Sequence, residues 1–136
     1  MPGQVVVLGA KGRMGRSATG AFLATGWRVR TLSRAGLDLD GAEVIEGDAF
    51  DAATVAAAAR GCDVIVNALN PPYPRWQADL PRLNANVIAA ARATGATVMI
   101  PGNVYNYGAA MPERLDEQTP QRPTSRKGRL RCEMEQ

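Results

Sequence analysis

The sequence contains no histidine, and only two of its 136 residues are cysteines. The absence of histidine excludes Ser-His-Asp and Cys-His nucleophile systems, and with so few cysteines almost no zinc site remains, so no metal is predicted. Cys62 and Cys132 lie outside any metal or redox motif and are expected to be packing residues. No run of about 18 apolar residues could span a bilayer, and no signal-peptide pattern begins the chain. These absences predict a cytoplasmic protein without a membrane partner.

The composition is that of an ordinary globular protein, with 46% hydrophobic and 21% charged residues. Its length predicts one domain over residues 1–136. The net charge is only +3, although four basic residues fall between positions 126 and 131. Arg129 and Arg131 each precede a glutamate by four residues, which favours ion pairs on a solvated helix over a nucleic-acid-binding patch.

Five short apolar segments alternate with helical patterns, which indicates repeated βαβ units. Strands such as Val5-Val6-Val7-Leu8 are continuously apolar, as parallel strands covered on both faces require. We therefore predict an α/β fold, a doubly wound parallel (Rossmann) sheet in strand order 3-2-1-4-5. The predicted strands are residues 5–8, 28–32, 43–46, 63–68 and 97–100, and the predicted helices are 13–25, 52–60 (with Asp51 as N-cap) and 80–94.

A glycine-rich loop lies directly between the first strand and the first helix. Glycines in such a loop allow a tight turn and let the backbone approach a pyrophosphate, which then lies at the positive end of the helix. This context makes the motif specific, since an isolated glycine pattern would be weak evidence. The alternative explanation is a tight turn without a ligand. The predicted cofactor-binding residues of the loop are Gly9, Lys11, Gly12, Arg13, Met14 and Gly15.

The end of the second strand predicts which dinucleotide is bound. An acidic residue there would hydrogen-bond the free ribose hydroxyls of NAD, but no carboxylate occurs before Asp38. Ser33 and Arg34 can instead contact a 2′-phosphate, and Lys11 and Arg13 add positive charge on the same side. NADP is therefore predicted as cofactor, with NAD as the alternative if Arg34 is only a solvated surface residue.

Further motifs follow the third, fourth and fifth strands: Gly47-Asp48-Ala49, Asn67-Ala68-Leu69 and the segment 102–108, which ends in Tyr107-Gly108. In this order and spacing, and with the glycine loop, they resemble the short-chain dehydrogenase/reductase superfamily, in its extended and atypical branch of NAD(P)-dependent epimerases and dehydratases. The resemblance runs over nearly the whole chain. It implies that Asp48, Ala49, Asn67, Ala68 and Leu69 contribute to the cofactor site.

The chain departs from this family at the catalytic positions. Asn103 stands where the family has a serine or threonine that polarises the substrate. For the family's Tyr-x-x-x-Lys, one alignment places Ser125 and Arg129 at the two positions, and the other places Pro123 and Lys127 there. Neither restores the pair, and Tyr105 is the nearest phenol by motif position. Asn103 and Tyr105 are therefore the candidate catalytic residues.

Members of this family run to about twice this length, and their last strands and smaller substrate-binding lobe are expected to be lacking here. The resemblance implies an oxidoreductase or a sugar-nucleotide epimerase- or dehydratase-like enzyme, which acts on a small molecule such as a nucleotide sugar. The alternative is a non-catalytic NADP(H)-binding regulator or sensor, which the missing Tyr-x-x-x-Lys favours. Apolar surface that the lobe would cover is expected to be exposed and to promote homo-oligomers.

Overall fold

A computed structural model describes residues 2–136 and contains a five-stranded, wholly parallel sheet in the order β3-β2-β1-β4-β5. The predicted doubly wound fold and its strand order are confirmed. The register pairs Leu8 with Leu32 on one side of β1 and with Asn67 on the other. The strands are β1 (Gln4–Leu8), β2 (Arg28–Ser33), β3 (Ala42–Glu46), β4 (Val64–Asn67) and β5 (Thr97–Met99).

Residues 2–136 contain four α-helices beside the sheet, and three of them follow the predicted positions to within a few residues. Asp51 is the N-cap of the second helix, as predicted, and its carboxylate accepts a hydrogen bond from the backbone N–H of Ala53. Gly95 ends the third helix in the left-handed conformation. The helices are α1 (Arg13–Ala24), α2 (Ala52–Ala59), α3 (Trp76–Thr94) and α4 (Arg126–Glu135). No helix of residues 2–136 is both long and apolar enough to cross a membrane.

The third helix begins at Trp76, four residues before the predicted start at Leu80. A short 3-10 helix over Tyr73–Arg75 leads into it, and Pro81 lies inside the helix. Two contacts hold this extra turn: the side chain of Trp76 is buried and its indole N–H donates to the carbonyl of Pro71, and Arg75 forms an ion pair with Asp79. These tertiary contacts outweigh the loss of one helical hydrogen bond at the proline.

The central strand β1 separates two hydrophobic clusters, because successive side chains of a strand point to opposite faces. Val5 and Val7 belong to the cluster that packs against α1. Val6 and Leu8 belong to the other, together with residues of α2 and α3. All four side chains are fully buried, and burial of each stabilises the folded state by about 1.5–3 kcal/mol. The sheet is thus covered on both faces, and its candidate functional groups lie at the carboxyl ends of its strands.

The two lateral edges of the sheet differ in chemistry. The edge strand β3 carries Glu43 and Glu46, and Glu43 forms an ion pair of 3.0 Å with Arg30 of the neighbouring strand. The opposite edge strand β5 has only three residues and no charge, and its Met99 is exposed. Each edge strand is two positions away from the central strand β1, at whose end the glycine loop begins.

Candidate functional site

A cavity of about 590 Å³ opens at the carboxyl ends of β1 to β4. Four loops meet there because parallel strands end at the same edge of a sheet, and the order reversal beside β1 separates the loops enough to form a crevice. A volume of this size is within the range of small-molecule and cofactor sites. Seven of the predicted cofactor residues line the cavity: Gly9, Lys11, Ser33, Arg34, Asp48, Ala49 and Leu69.

The three glycines of the loop have different structural roles. Gly9 has φ +78°, and a Cβ atom there would lie 2.6 Å from the carbonyl oxygen of Ala68. At Gly15 an added Cβ would overlap the backbone of Gly9 and Ala10. Gly12 has extended backbone, and an added Cβ would meet only the carbonyl oxygen of Gly9, at 3.5 Å. The fold itself therefore requires Gly9 and Gly15, whereas it leaves the space beside Gly12 free.

Gly12 is also the N-cap of α1 and makes no side-chain capping bond. The first backbone N–H groups of a helix lack intrahelical acceptors and carry partial positive charge. An open N-terminus beside a glycine loop suits a pyrophosphate, so the residues present fit a dinucleotide. Arg13 and Met14 in this first turn are exposed, while Gly15 is buried.

Positive charge gathers where β2 ends. Ser33 and Arg34 line the cavity there together with Lys11. The ammonium of Lys11 lies 3.8 Å from the position of a Cβ added at Gly36, so this cation reaches the segment that follows β2. Arg13 does not line the cavity. Two cations and a hydroxyl thus flank the end of β2, whereas the carboxylates that line the cavity, Asp48 and Asp79, come after β3 and β4.

The loop after β3 forms a second wall of the cavity. The Asp48 carboxylate accepts a hydrogen bond of 2.9 Å from the N–H of Phe50, and Asn86 of α3 donates to the carbonyl of Ala49, also at 2.9 Å. The Arg82 guanidinium lies over the Phe50 ring, 4.8 Å from its centroid. Phe50, Arg82 and Asn86 were not predicted, and no local motif marks them, because they meet only when α3 packs beside this loop.

The loop after β4 forms a third wall. Asn67 is buried, and its side-chain oxygen accepts a hydrogen bond from the N–H of Leu69. Ala68 packs under the glycine loop, where its carbonyl limits the space at Gly9. Asn67 and Ala68 therefore shape the site without lining it, and Leu69 lines it.

Arg75 and Asp79 also line this wall, although neither was predicted. Arg75 donates to both carboxylate oxygens of Asp79, at 2.7 and 2.9 Å. Asp79 is only 4% exposed, and the hydrogen bond from Arg75 lowers the pKa of its carboxyl group despite the opposing effect of burial. The pair compensates a buried charge and fixes the start of α3 against the cavity.

The candidate catalytic residues lie outside the cavity, on the segment that follows β5. The side-chain oxygen of Asn103 accepts a hydrogen bond of 3.0 Å from the N–H of Tyr105 and caps a short 3-10 helix, Val104–Tyr107. Tyr105 is 37% exposed, and its ring lies 6.3 Å from that of Trp76. The Tyr73 ring also lies near Trp76, with 5.0 Å between the ring centroids.

The two alignments of the family's Tyr-x-x-x-Lys have different outcomes in the structure. Ser125 is the N-cap of α4, and its hydroxyl oxygen accepts a hydrogen bond from the N–H of Gly128. Lys127 turns toward the aromatic rings: its ammonium lies 3.7 Å from the Tyr73 centroid and 6.0 Å from that of Tyr105. Lys127 is thus a cation near Tyr105. The ring of Tyr73, a residue that was not predicted, lies closer to the Lys127 ammonium than the Tyr105 ring does.

The chain is similar to a family of NAD(P)H-binding proteins and to several solved structures. A family model described as NAD(P)H-binding matches residues 9–127. Uronate dehydrogenase from Agrobacterium tumefaciens is 26% identical, with a TM-score of 0.80 over 98% of this chain and 53% of its own. Glucuronic acid dehydrogenase from Chromohalobacter salexigens is also 26% identical, with a TM-score of 0.76 over 97% of this chain and 53% of its own.

A UDP-galactose 4-epimerase is 25% identical, with a TM-score of 0.78 over 97% of this chain and 49% of its own. One structure of the Agrobacterium uronate dehydrogenase, a mutant, was crystallised with NAD. The chain spans about half the length of these solved structures. A search of curated proteins found no significant match.

These matches confirm the predicted cofactor class, NAD(P)H, and the resemblance to short-chain dehydrogenases/reductases of the epimerase and dehydratase branch. The family match covers all four loops around the cavity, of which the glycine loop is one, and the first residues of α4. The chain therefore belongs to the NAD(P)H-binding family of Rossmann-fold proteins.

Proposed function

We propose that this chain is the NADP(H)-binding part of an oxidoreductase, or of a sugar-nucleotide epimerase- or dehydratase-like enzyme. The observation that carries the proposal is the cavity at the ends of β1 to β4, with the open glycine loop on one side and Ser33 and Arg34 on another. The cofactor would supply hydride transfer, and the chain would bind and orient it. Gly12 would admit the pyrophosphate, and the α1 N-terminus would stabilise its charge.

The preference for NADP over NAD rests on the charges at the end of β2. Arg34 can form charge-assisted hydrogen bonds with a 2′-phosphate, and Ser33 can donate one more. Lys11 supports this reading because its ammonium extends toward the same segment, beside Gly36. A ribose with free hydroxyls would find no carboxylate at the end of β2.

The proposed catalytic residues are Tyr105 and Asn103. Their segment follows β5, so it begins at the same sheet edge as the cavity. Tyr105 would act as the acid or base through its phenol. The Lys127 ammonium lies 6.0 Å from the centroid of its ring. The 26%-identical dehydrogenases and the 25%-identical epimerase support an enzyme whose substrate is a sugar or sugar derivative.

A second candidate function is a non-catalytic NADP(H)-binding regulator. The specific observation in its favour is the role of Ser125, which caps α4 at the position that one of the two alignments assigns to the family's tyrosine. The side-chain oxygen of Asn103 likewise accepts a hydrogen bond from the backbone N–H of Tyr105. Both residues have local structural tasks, which an inactive relative could retain.

The cofactor proposal is tested by calorimetry of the chain with NADPH and with NADH. We expect NADPH to bind more tightly, and Arg34→Gln to weaken NADPH about tenfold or more, because hydrogen bonds between charged groups each contribute about 1.5–3 kcal/mol. The same substitution should leave the affinity for NADH within about twofold. Arg60→Gln, which removes an exposed charge at the end of α2, is the control. Equal affinities for the two cofactors in the unmodified chain would refute the assignment.

A further inference from the structure

Three chain segments that are far apart in sequence bring together an aromatic cluster and one lysine. Tyr73 and Trp76 follow β4, Tyr105 follows β5, and Lys127 belongs to α4. The three ring centroids are linked by spacings of 5.0 Å and 6.3 Å through Trp76. The Lys127 ammonium lies 3.7 Å from the Tyr73 centroid and 6.0 Å from each of the others, so the rings fix its position.

The cluster is accessible, and it adjoins the cofactor cavity without belonging to it. Tyr73 is 52% exposed and Tyr105 is 37% exposed, whereas Trp76 is buried beneath them. Pro71, Pro72 and Arg75 of the same loop line the cavity. These residues of the loop therefore bound the cofactor site, whereas Tyr73 and Trp76 of the same stretch belong to the aromatic cluster. A molecule bound on the cluster would lie one loop away from the cofactor.

The positive charge of Lys127 has no counter-charge in the described chain. The three ion pairs of residues 2–136 join Arg30 to Glu43, Arg75 to Asp79 and Arg131 to Glu135. Rings hold an ammonium without neutralising it, so the cation stays available to an anion.

The placement of Lys127 in α4 strengthens this electrostatic argument. The N-terminus of a helix carries partial positive charge, and acidic side chains are stabilising there. The first turn of α4 has no acidic residue, and Lys127 lies in it. The turn also packs closely on the cluster, because a Cβ atom added at Gly128 would overlap the backbone carbonyl of Tyr105. The helix terminus, the lysine and Tyr105 therefore act on the same small region.

The two phenols add hydrogen-bonding capacity beside the cation. The pKa of Tyr73 is raised, chiefly by its hydrogen-bonding interaction with Tyr105, and Lys127 acts in the opposite direction. The hydroxyl groups of the two phenols are therefore close to each other. Tyrosine offers an apolar ring face with a polar tip, which suits a ligand that carries both C–H and O–H groups.

We infer that Tyr73, Tyr105 and Lys127 form the substrate subsite for a polyhydroxylated carboxylate, such as a sugar acid, with the carboxylate on Lys127 and hydroxyl groups on the two phenols. This inference deepens the proposed function, on which it rests, by naming the substrate class. A single lysine matches a single negative charge. The Tyr73 ring face beside the ammonium would reduce the contact of such an ion pair with water, which would strengthen it.

The test uses the fluorescence of Trp76, which lies beneath Tyr73 and Tyr105. The other tryptophan, Trp27, packs on Phe22 at the opposite end of the sheet and is replaced by phenylalanine in all variants. The probes are D-glucuronate, D-glucose as its neutral counterpart, and inorganic phosphate. We expect saturable binding of glucuronate, none of glucose at equal concentration, and at least tenfold weaker binding of phosphate.

Matched variants separate a fixed cation from general positive charge. Lys127→Gln should weaken glucuronate at least tenfold, and Lys127→Arg should retain binding within about threefold. Arg126→Gln removes the same charge from the same helical turn and should change affinity less than twofold. Tyr73→Phe should weaken glucuronate several-fold. Thermal melting of each variant checks that the fold is intact.

Absence of glucuronate binding, equal binding of glucose or phosphate, or equal losses for Lys127→Gln and Arg126→Gln would each overturn the inference. NADPH binding, measured separately, decides the proposed function. If NADPH binds and glucuronate does not, only the subsite is wrong. If NADPH does not bind, the proposed cofactor role fails, while the glucuronate result still decides the subsite because the cluster lies outside the cavity.

Discussion

The three glycines of the loop between β1 and α1 should respond differently to substitution. Gly12→Val places a branched side chain where the fold leaves space and where the pyrophosphate is proposed to approach. We expect NADPH and NADH affinity to fall about 100-fold or more, equivalent to about 2.7 kcal/mol. The unfolding free energy should fall by only about 1 kcal/mol, the cost of replacing glycine by a poor N-cap residue, because the added side chain meets no backbone clash.

Gly9→Ala and Gly15→Ala should instead destabilise the fold. At φ +78° a residue other than glycine costs about 1–2 kcal/mol, and the contact with the Ala68 carbonyl adds to this at Gly9. At Gly15 the added carbon overlaps the backbone of the preceding turn, which costs about 1–3 kcal/mol as overpacking. Each kcal/mol lowers the melting temperature of a domain of this size by about 4 °C.

Calorimetry with each cofactor and thermal melting together give the two readouts. Gly20→Val is the matched control, since Gly20 lies in α1 with no atom within 4 Å of an added Cβ. It should leave both cofactor affinities unchanged. The reasoning is refuted if Gly12→Val binds NADPH as the unmodified chain does, or if it melts as early as Gly15→Ala.

Two further predictions follow from ion pairing and from the proposed chemistry. The Asp79 pKa is lowered by Arg75, so the stability from this carboxylate is present above its unfolded value near 3.8 and is lost as the pH falls through the lower folded value. The melting temperature should therefore fall in that acidic range, and Asp79→Asn should flatten the profile between pH 6 and pH 2; an unchanged profile would contradict the pairing. Tyr105→Phe should reduce turnover at least 100-fold once a substrate is found, because general acid–base catalysis contributes about that much. Turnover that survives with unaltered pH dependence would exclude Tyr105 from the chemistry and favour the regulator.

The sheet and the glycine loop could be predicted because their signals are local. Val5 to Leu8 form an unbroken apolar run, and the loop follows at once, so strand, turn and helix are contiguous in sequence. The strand order could be predicted because right-handed βαβ connections leave few arrangements for five parallel strands, and the structure confirms it. Likewise, Asp51 and Gly95 end helices through side-chain and backbone preferences of their own.

The remaining features depend on contacts between distant segments. The start of α3 at Trp76 depends on the buried indole and on the Arg75–Asp79 pair, which no periodicity reveals. The approach of Lys127 to Tyr73 joins positions 54 residues apart, as their numbers show. Asn103 was predicted as a polar catalytic group from motif position, and its capping bond to Tyr105 is visible only in three dimensions.

The unequal chemistry of the two edge strands determines how this sheet can grow. An edge strand presents unpaired N–H and C=O groups that can pair with another strand. At β3 an incoming strand would have to accommodate the Arg30–Glu43 ion pair and the charge of Glu46. At β5 the short, uncharged sequence Thr97–Met99 offers no such obstacle, and the exposed Met99 offers apolar contact. A sixth strand, from the same polypeptide or from another copy, would therefore add beside β5, so extension of the sheet is one-sided.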